Sequence, residues 1–130
     1  MTIQLLTRIL LGEDDPDIQE IAALTLETLG GFTVEACNTG IEALEAVPRF
    51  LPDLILLDVL MPELDGLGVL TELRANPEFM DIPIIFMTAK VMEEEIDQLR
   101  EMGAMDVIHK PFDPQFLADQ VKEIWANHHG

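Results

Sequence analysis

The chain has 130 residues, 48% hydrophobic and 25% charged, which suits one globular domain with a single core. Twenty-five Asp plus Glu against seven Lys plus Arg give a formal charge of −18; such a surface repels nucleic-acid phosphates and suits a basic partner or a bound cation. The lone Cys37 excludes an intrachain disulfide, and the apolar run Ile9-Leu10-Leu11 is far below the ~20 residues that span a bilayer, so a cytoplasmic domain without signal peptide or membrane contact is expected.

Ile9 to Leu11 reads as a first buried strand, with Glu13-Asp14-Asp15 at its carboxyl end. Asp15-Pro16 opens a helix, Asp15 as N-cap and Pro16 at the first helical position. Ile18, Ile21, Ala22, Thr25 and Leu29 keep helical spacing on one face, and Gly30-Gly31 ends the helix. Phe32 to Cys37 is a second strand, in which Cys37 reads as a small buried hydrophobe. Ile41, Ala43, Leu44 and Val47 form a short helix that Pro48 is expected to limit.

Leu54-Ile55-Leu56-Leu57 is a continuous apolar run bounded by turn residues, the pattern of a strand buried on both faces. It ends on Asp58, and loop residues follow from Met61-Pro62 to Asp65-Gly66. A helix over Leu67 to Ala75 precedes Asn76-Pro77. A fourth strand lies within Ile82 to Thr88, then a helix from about Met92 to Met102, with Glu93-Glu94-Glu95 in the first turn, where the dipole favours negative charge. Asp106 to His109 is a fifth, short strand ending at Lys110-Pro111. Asp113-Pro114 opens a last helix with Leu117, Val121 and Ile124 on its inner face. Strands alternating with helices imply an α/β fold, a doubly wound parallel sheet with helices on both faces.

In a parallel sheet the carboxyl ends of the strands share one edge, where ligands bind. Glu13 and Asp14, Asp58, Thr88 and Lys110 each fall at such an end. Taken singly, each is better explained as a cap, a turn residue or a solvated lysine; their joint placement points to a site. Carboxylates about 5 Å apart repel by roughly 3 kcal/mol per pair at an effective dielectric near 20. Such a cluster protonates one acid or recruits a cation. Hard oxygen donors in a solvent-facing crevice suit Mg²⁺. His109, His128, His129 and Cys37 do not fall at zinc-ligand positions. Carboxylate, Mg²⁺, hydroxyl and ammonium together meet the needs of phosphoryl transfer, with Asp58 as nucleophile. No glycine-rich nucleotide cradle accompanies them.

The segments ILLGEDDPDI, DLILLDVLMPELDG, PIIFMTA and HKPF, at this spacing, resemble the receiver domain of bacterial two-component response regulators over nearly the whole chain. The resemblance implies a flavodoxin-like sheet of order 2-1-3-4-5. It implies that Asp58 accepts a phosphoryl group from a phosphohistidine on a histidine kinase or histidine phosphotransfer protein. Glu13, Asp14, Asp58 and the backbone carbonyl of Leu60 match the Mg²⁺ ligands. Thr88 and Lys110 match the switch hydroxyl and the phosphate-binding lysine, and Lys110-Pro111 matches a cis peptide. A single receiver domain over 1–130, with a core of about 7–127 and no output domain, is expected. Its output is then a downstream protein contact, through Val91, Met92 and Val107, or passage of the phosphoryl group onward. Neither nucleic acid nor membrane is an expected partner.

Three departures from the family pattern stand out. Gly12 replaces a branched apolar residue, and glycine weakens a strand interior, so a less rigid acidic pair is expected. Val107 occupies a position that is often aromatic. Leu60 and Lys90 flank the acceptor and cannot position an attacking water, so slow self-dephosphorylation is expected. Competing readings are a small-molecule phosphatase, which would need a general acid where Leu60 stands, a non-phosphorylated scaffold, and, from fold analogy alone, a flavin-binding protein.

Overall fold

The computed structural model describes residues 5–89 and 92–129. Strands β1 (Arg8–Gly12), β2 (Thr33–Cys37), β3 (Leu54–Asp58), β4 (Ile84–Thr88) and β5 (Asp106–His109) alternate with helices α1 (Pro16–Thr28), α2 (Gly40–Phe50), α3 (Gly66–Arg74), α4 (Glu93–Glu101) and α5 (Leu117–His129). The strands form one parallel sheet in the order β2-β1-β3-β4-β5. This is the doubly wound flavodoxin-like arrangement expected.

Alternation along each strand divides the core between the two faces. Leu10, Ile55, Leu57, Ile84 and Phe86 meet Ala43 and Val47 of α2, Val69 and Leu73 of α3 and Leu99 of α4. Ile9, Leu11, Leu54, Leu56, Ile85 and Met87 meet Ala22 and Leu26 of α1 and Leu117, Val121 and Trp125 of α5. Leu54 to Leu57 are all fully buried, which is why β3 carries no polar residue until Asp58.

Three details differ from the sequence expectations. The buried face of α1 is centred on Ala22 and Leu26, while Ile21 and Leu29 are exposed, because the helix must serve both the sheet and its neighbour α5. Pro48 lies inside α2 and does not stop it. It falls in the last turn, the next intrahelical bond runs from Leu51 N–H to Val47 C=O at 2.9 Å, and the chain leaves through Leu51 at φ 53°. The α5 helix starts at Leu117, preceded by a turn in which Asp113 accepts hydrogen bonds from the N–H groups of Gln115 and Phe116. Ile124 is only half-buried there, and Trp125 completes the inner face.

Candidate phosphoacceptor and cation site

Glu13 follows β1 directly and has no exposed surface. Its N–H donates to the carbonyl of Cys37 at 3.0 Å, which ties it to the end of β2. Gln19, half-buried on α1, donates through Nε2 to the carbonyls of Glu13 at 2.8 Å and Cys37 at 3.1 Å and to Asn38 Oδ1 at 2.9 Å. Asp15 caps α1 as expected, accepting from the N–H groups of Asp17 and Ile18. This leaves Asp14, which is exposed, to face the crevice.

Asp58 ends β3 and is 6% exposed. Its Oδ1 accepts from Leu60 N–H at 3.1 Å and its Oδ2 from Lys110 Nζ at 2.7 Å. The same ammonium reaches Glu13 Oε1 and Oε2 at 3.2 and 3.1 Å. A carboxylate oxygen from each of Glu13, Asp14 and Asp58 lies within 4.8 Å of the others. Among the described residues this is the one such group, and it contains neither histidine nor cysteine. An all-oxygen donor set open on one side fits a hard divalent cation that keeps some of its water.

Thr88 ends β4 on the same sheet edge and is 3% exposed. Its carbonyl accepts from Lys110 N–H at 2.9 Å, so β4 holds the backbone of the lysine that spans the cluster. The Lys110–Pro111 peptide is cis.

Burial and the neighbouring Asp58 carboxylate raise the Glu13 pKa from 4.5 to about 7, against the opposing pull of Lys110. Burial acts to lower the Lys110 pKa, but its hydrogen bonds to Asp58 and Glu13 outweigh this and hold it above the ordinary lysine value. The Cys37 thiol is buried and unbonded to another cysteine. Burial, then the charges of Glu35 and Glu42, push its pKa to about 11, so it is a protonated, packed thiol at neutral pH.

Thus Glu13, Asp14, Asp58 and Lys110 come together as expected, with Thr88 ending on the same edge. Leu60 lies beside Asp58 and is 70% exposed. Of the three apolar surface candidates, Met92 is 60% exposed. Val107 is half-buried rather than exposed, since it pairs in register with Phe86 and packs on that face of the core. Val91, like Lys90, lies outside the described residues. Gln19 was missed from sequence. A glutamine beside Ile18 on an amphipathic helix looks like any surface amide, and the one hint is that it falls one turn after the N-cap next to an acidic strand end.

Residues 9–122 match the family model of the response regulator receiver domain. The response regulator MprA of Mycobacterium leprae is 38% identical over 117 residues, 90% of this chain and 50% of the relative. The DNA-binding dual master transcriptional regulator RpaA of Synechocystis is 33% identical over 117 residues, 90% of this chain and 48% of the relative. The chain spans about half the length of the curated relatives it matches. Among solved structures, the chemotaxis response regulator CheY4 of Vibrio cholerae superposes with a TM-score of 0.84 at 26% identity, covering 92% of this chain and 99% of that one. The signal receiver domain of a histidine kinase from Syntrophus aciditrophicus superposes with a TM-score of 0.80 at 35% identity, covering 93% and 91%. Phosphorylation on an aspartate and Mg²⁺ at an acidic site are properties of the receiver-domain family; in this chain Glu13, Asp14 and Asp58 form an acidic cluster that could hold a metal. The chain belongs to the response regulator receiver domain family of two-component signalling.

Proposed function

We propose that Asp58 is the phosphoacceptor and that its donor is a phosphohistidine on a histidine kinase or histidine phosphotransfer protein. One observation carries the reading: a nearly buried carboxylate, held by Lys110 at 2.7 Å, shares a crevice with two further acids within 4.8 Å. An Asp58 carboxylate oxygen attacks phosphorus in line. The O–P bond forms as the P–N bond to the imidazole breaks, and the electron pair stays on the ring nitrogen, which takes up a proton from solvent. Charge spreads over the three equatorial oxygens of the moving group, so positioning and neutralisation supply most of the catalysis. Lys110 donates to one of those oxygens and the Thr88 hydroxyl to another. Glu13, Asp14, Asp58 and the Leu60 carbonyl would hold Mg²⁺, which would supply Lewis-acid neutralisation of phosphoryl oxygen charge.

The donor docks beside Lys110. Ile18 and Ile21 of α1, with Pro111, Phe112 and Pro114, line an apolar groove of about 160 Å³ that also includes Lys110 and Asp17. Asp14, Asp15, Asp17 and Glu20 on the adjoining turn are all exposed. The surface therefore suits an apolar ridge flanked by basic side chains, with association that weakens as salt rises. Readout uses Met92, Val91 and Val107 toward a downstream protein, or the phosphoryl group passes onward to a second histidine. With a formal charge of −18, the domain itself contacts neither nucleic acid nor membrane and acts in the cytoplasm. It is a signalling domain whose only chemistry is on its own Asp58. A multiple-turnover phosphatase would need a general acid where the apolar Leu60 stands.

Incubation with acetyl phosphate and Mg²⁺, followed by intact-mass measurement, tests this. One phosphoryl group is gained by the wild type and none by Asp58→Asn. A wild type that gains none from acetyl phosphate or from a phosphorylated histidine donor overturns the reading.

A further inference from the structure

Gly12 is the last residue of β1 and stands immediately before Glu13. It is buried, and it pairs in register with Leu57 on one side and Cys37 on the other. A Cβ at this position would overlap Leu57 Cδ1 and come within 3.4 and 3.5 Å of Met61 Sδ and Cε. The space that a side chain would need is therefore filled by the buried tip of Leu57, the residue before Asp58, while Met61, the residue after Leu60, packs beside it at ordinary van der Waals distance.

Met61 is the buried point of an otherwise exposed stretch. It is 9% exposed, while Leu60, Pro62 and Glu63 are exposed. The far end of the same loop rests on a second bare backbone, since a Cβ on Gly40 would fall on the carbonyl oxygen of Leu64. Between these two seats, the Leu60 N–H donates to Asp58 Oδ1. A side chain at position 12 would have to push the tip of Leu57, which is fully buried next to Asp58 and shares its core layer with Met61. Interiors are close-packed and transmit such strain rather than absorbing it.

We propose that Gly12 is a positioning residue for the cation site, because Leu57 and Met61 seat on its bare backbone and so fix the loop after Asp58 against Glu13. The glycine that weakens β1 as a strand thus lets the loop approach the acidic pair. The inference rests on the reading of Glu13, Asp14 and Asp58 as a Mg²⁺ site.

The test is Mg²⁺ titration calorimetry on the full chain, at a temperature where circular dichroism shows each variant folded. Gly12→Ala weakens Mg²⁺ binding on the order of tenfold, the scale of an overpacked core contact. Gly12→Ala with Leu57→Val, which conserves volume, returns to within about twofold of wild type. Met61→Ala, which empties the seat from the other side, also weakens binding, and Met61→Leu retains it. Val121→Ala, in the opposite core layer, lowers the melting temperature and leaves Mg²⁺ affinity unchanged. Folded Gly12→Ala and Met61→Ala that both bind Mg²⁺ like wild type overturn the positioning role alone. A wild type that binds no Mg²⁺ overturns the site reading and this inference with it.

Discussion

Lys110 Nζ sits 2.7 Å from Asp58 Oδ2 and 3.1 Å from Glu13 Oε2, so one ammonium bridges the ends of β1 and β3 from its own place beyond β5. Two carboxylates this close to each other and this well buried need a cation between them. Until the site is loaded, Lys110 supplies it. Hydrogen bonds to charged groups contribute roughly 1.5–3 kcal/mol. Lys110→Ala is therefore expected to slow phosphoryl acceptance from acetyl phosphate by about ten- to a hundredfold at saturating Mg²⁺. Quench-and-mass kinetics against wild type measure it, and an unchanged rate contradicts the assigned role.

Glu13 sets a pH dependence. Its folded pKa is about 7 against an ordinary 4.5. Below pH 4.5 both folded and unfolded chains hold the proton. Between 4.5 and 7 the folded chain holds it and the unfolded chain does not, so stability falls as pH rises through that window. The Mg²⁺-free wild type should melt higher at pH 5 than at pH 8, and Glu13→Gln should flatten that slope. Binding of Mg²⁺ near pH 6 should release a proton, visible as a dependence of calorimetric heat on the ionisation enthalpy of the buffer. No proton release contradicts the raised pKa.

The exposed, apolar Leu60 beside Asp58 cannot hold a water for in-line attack. The phosphorylated, Mg²⁺-loaded protein should keep its phosphoryl group for minutes or longer. Leu60→Asn, which restores a polar group at that place, should shorten the half-life several-fold. Loss within seconds in the wild type, followed by intact mass, contradicts this account of its persistence.

Gln19 Nε2 joins the carbonyls of Glu13 and Cys37 and Asn38 Oδ1. Gln19→Leu keeps the bulk and removes the donor, leaving those oxygens short of a partner. A loss of about 1–3 kcal/mol of unfolding free energy is expected from denaturant titration, together with weaker Mg²⁺ binding. Gln19→Glu should be worse than Gln19→Leu, because it turns a carboxylate toward three acceptors.

Much of this arrangement is legible in the residues alone, for a physical reason. Runs such as Leu54 to Leu57 have no polar position and must be buried on both faces, and a parallel sheet then brings every strand's carboxyl end to one edge. That logic locates Glu13, Asp14, Asp58, Thr88 and Lys110 without coordinates. It does not locate Gln19, whose role depends on the rotation of α1 about its axis. The same rotation puts Ala22 and Leu26 inside while Ile21 lies along the groove beside Lys110. The course of α2 past Pro48 is hidden likewise, since a proline in the last turn removes one bond without ending the helix. The close fit of Gly12 under Leu57 and Met61 is a tertiary contact that strand propensity does not report.

The claim on which all else depends is that the phosphoryl group resides on Asp58. Borohydride reduction converts an aspartyl phosphate to homoserine. After acetyl phosphate and Mg²⁺ treatment, reduction and peptide mass mapping, homoserine at position 58 is the predicted result. Homoserine at Asp14 or another acid, or none in a protein that has gained a phosphoryl group, contradicts it.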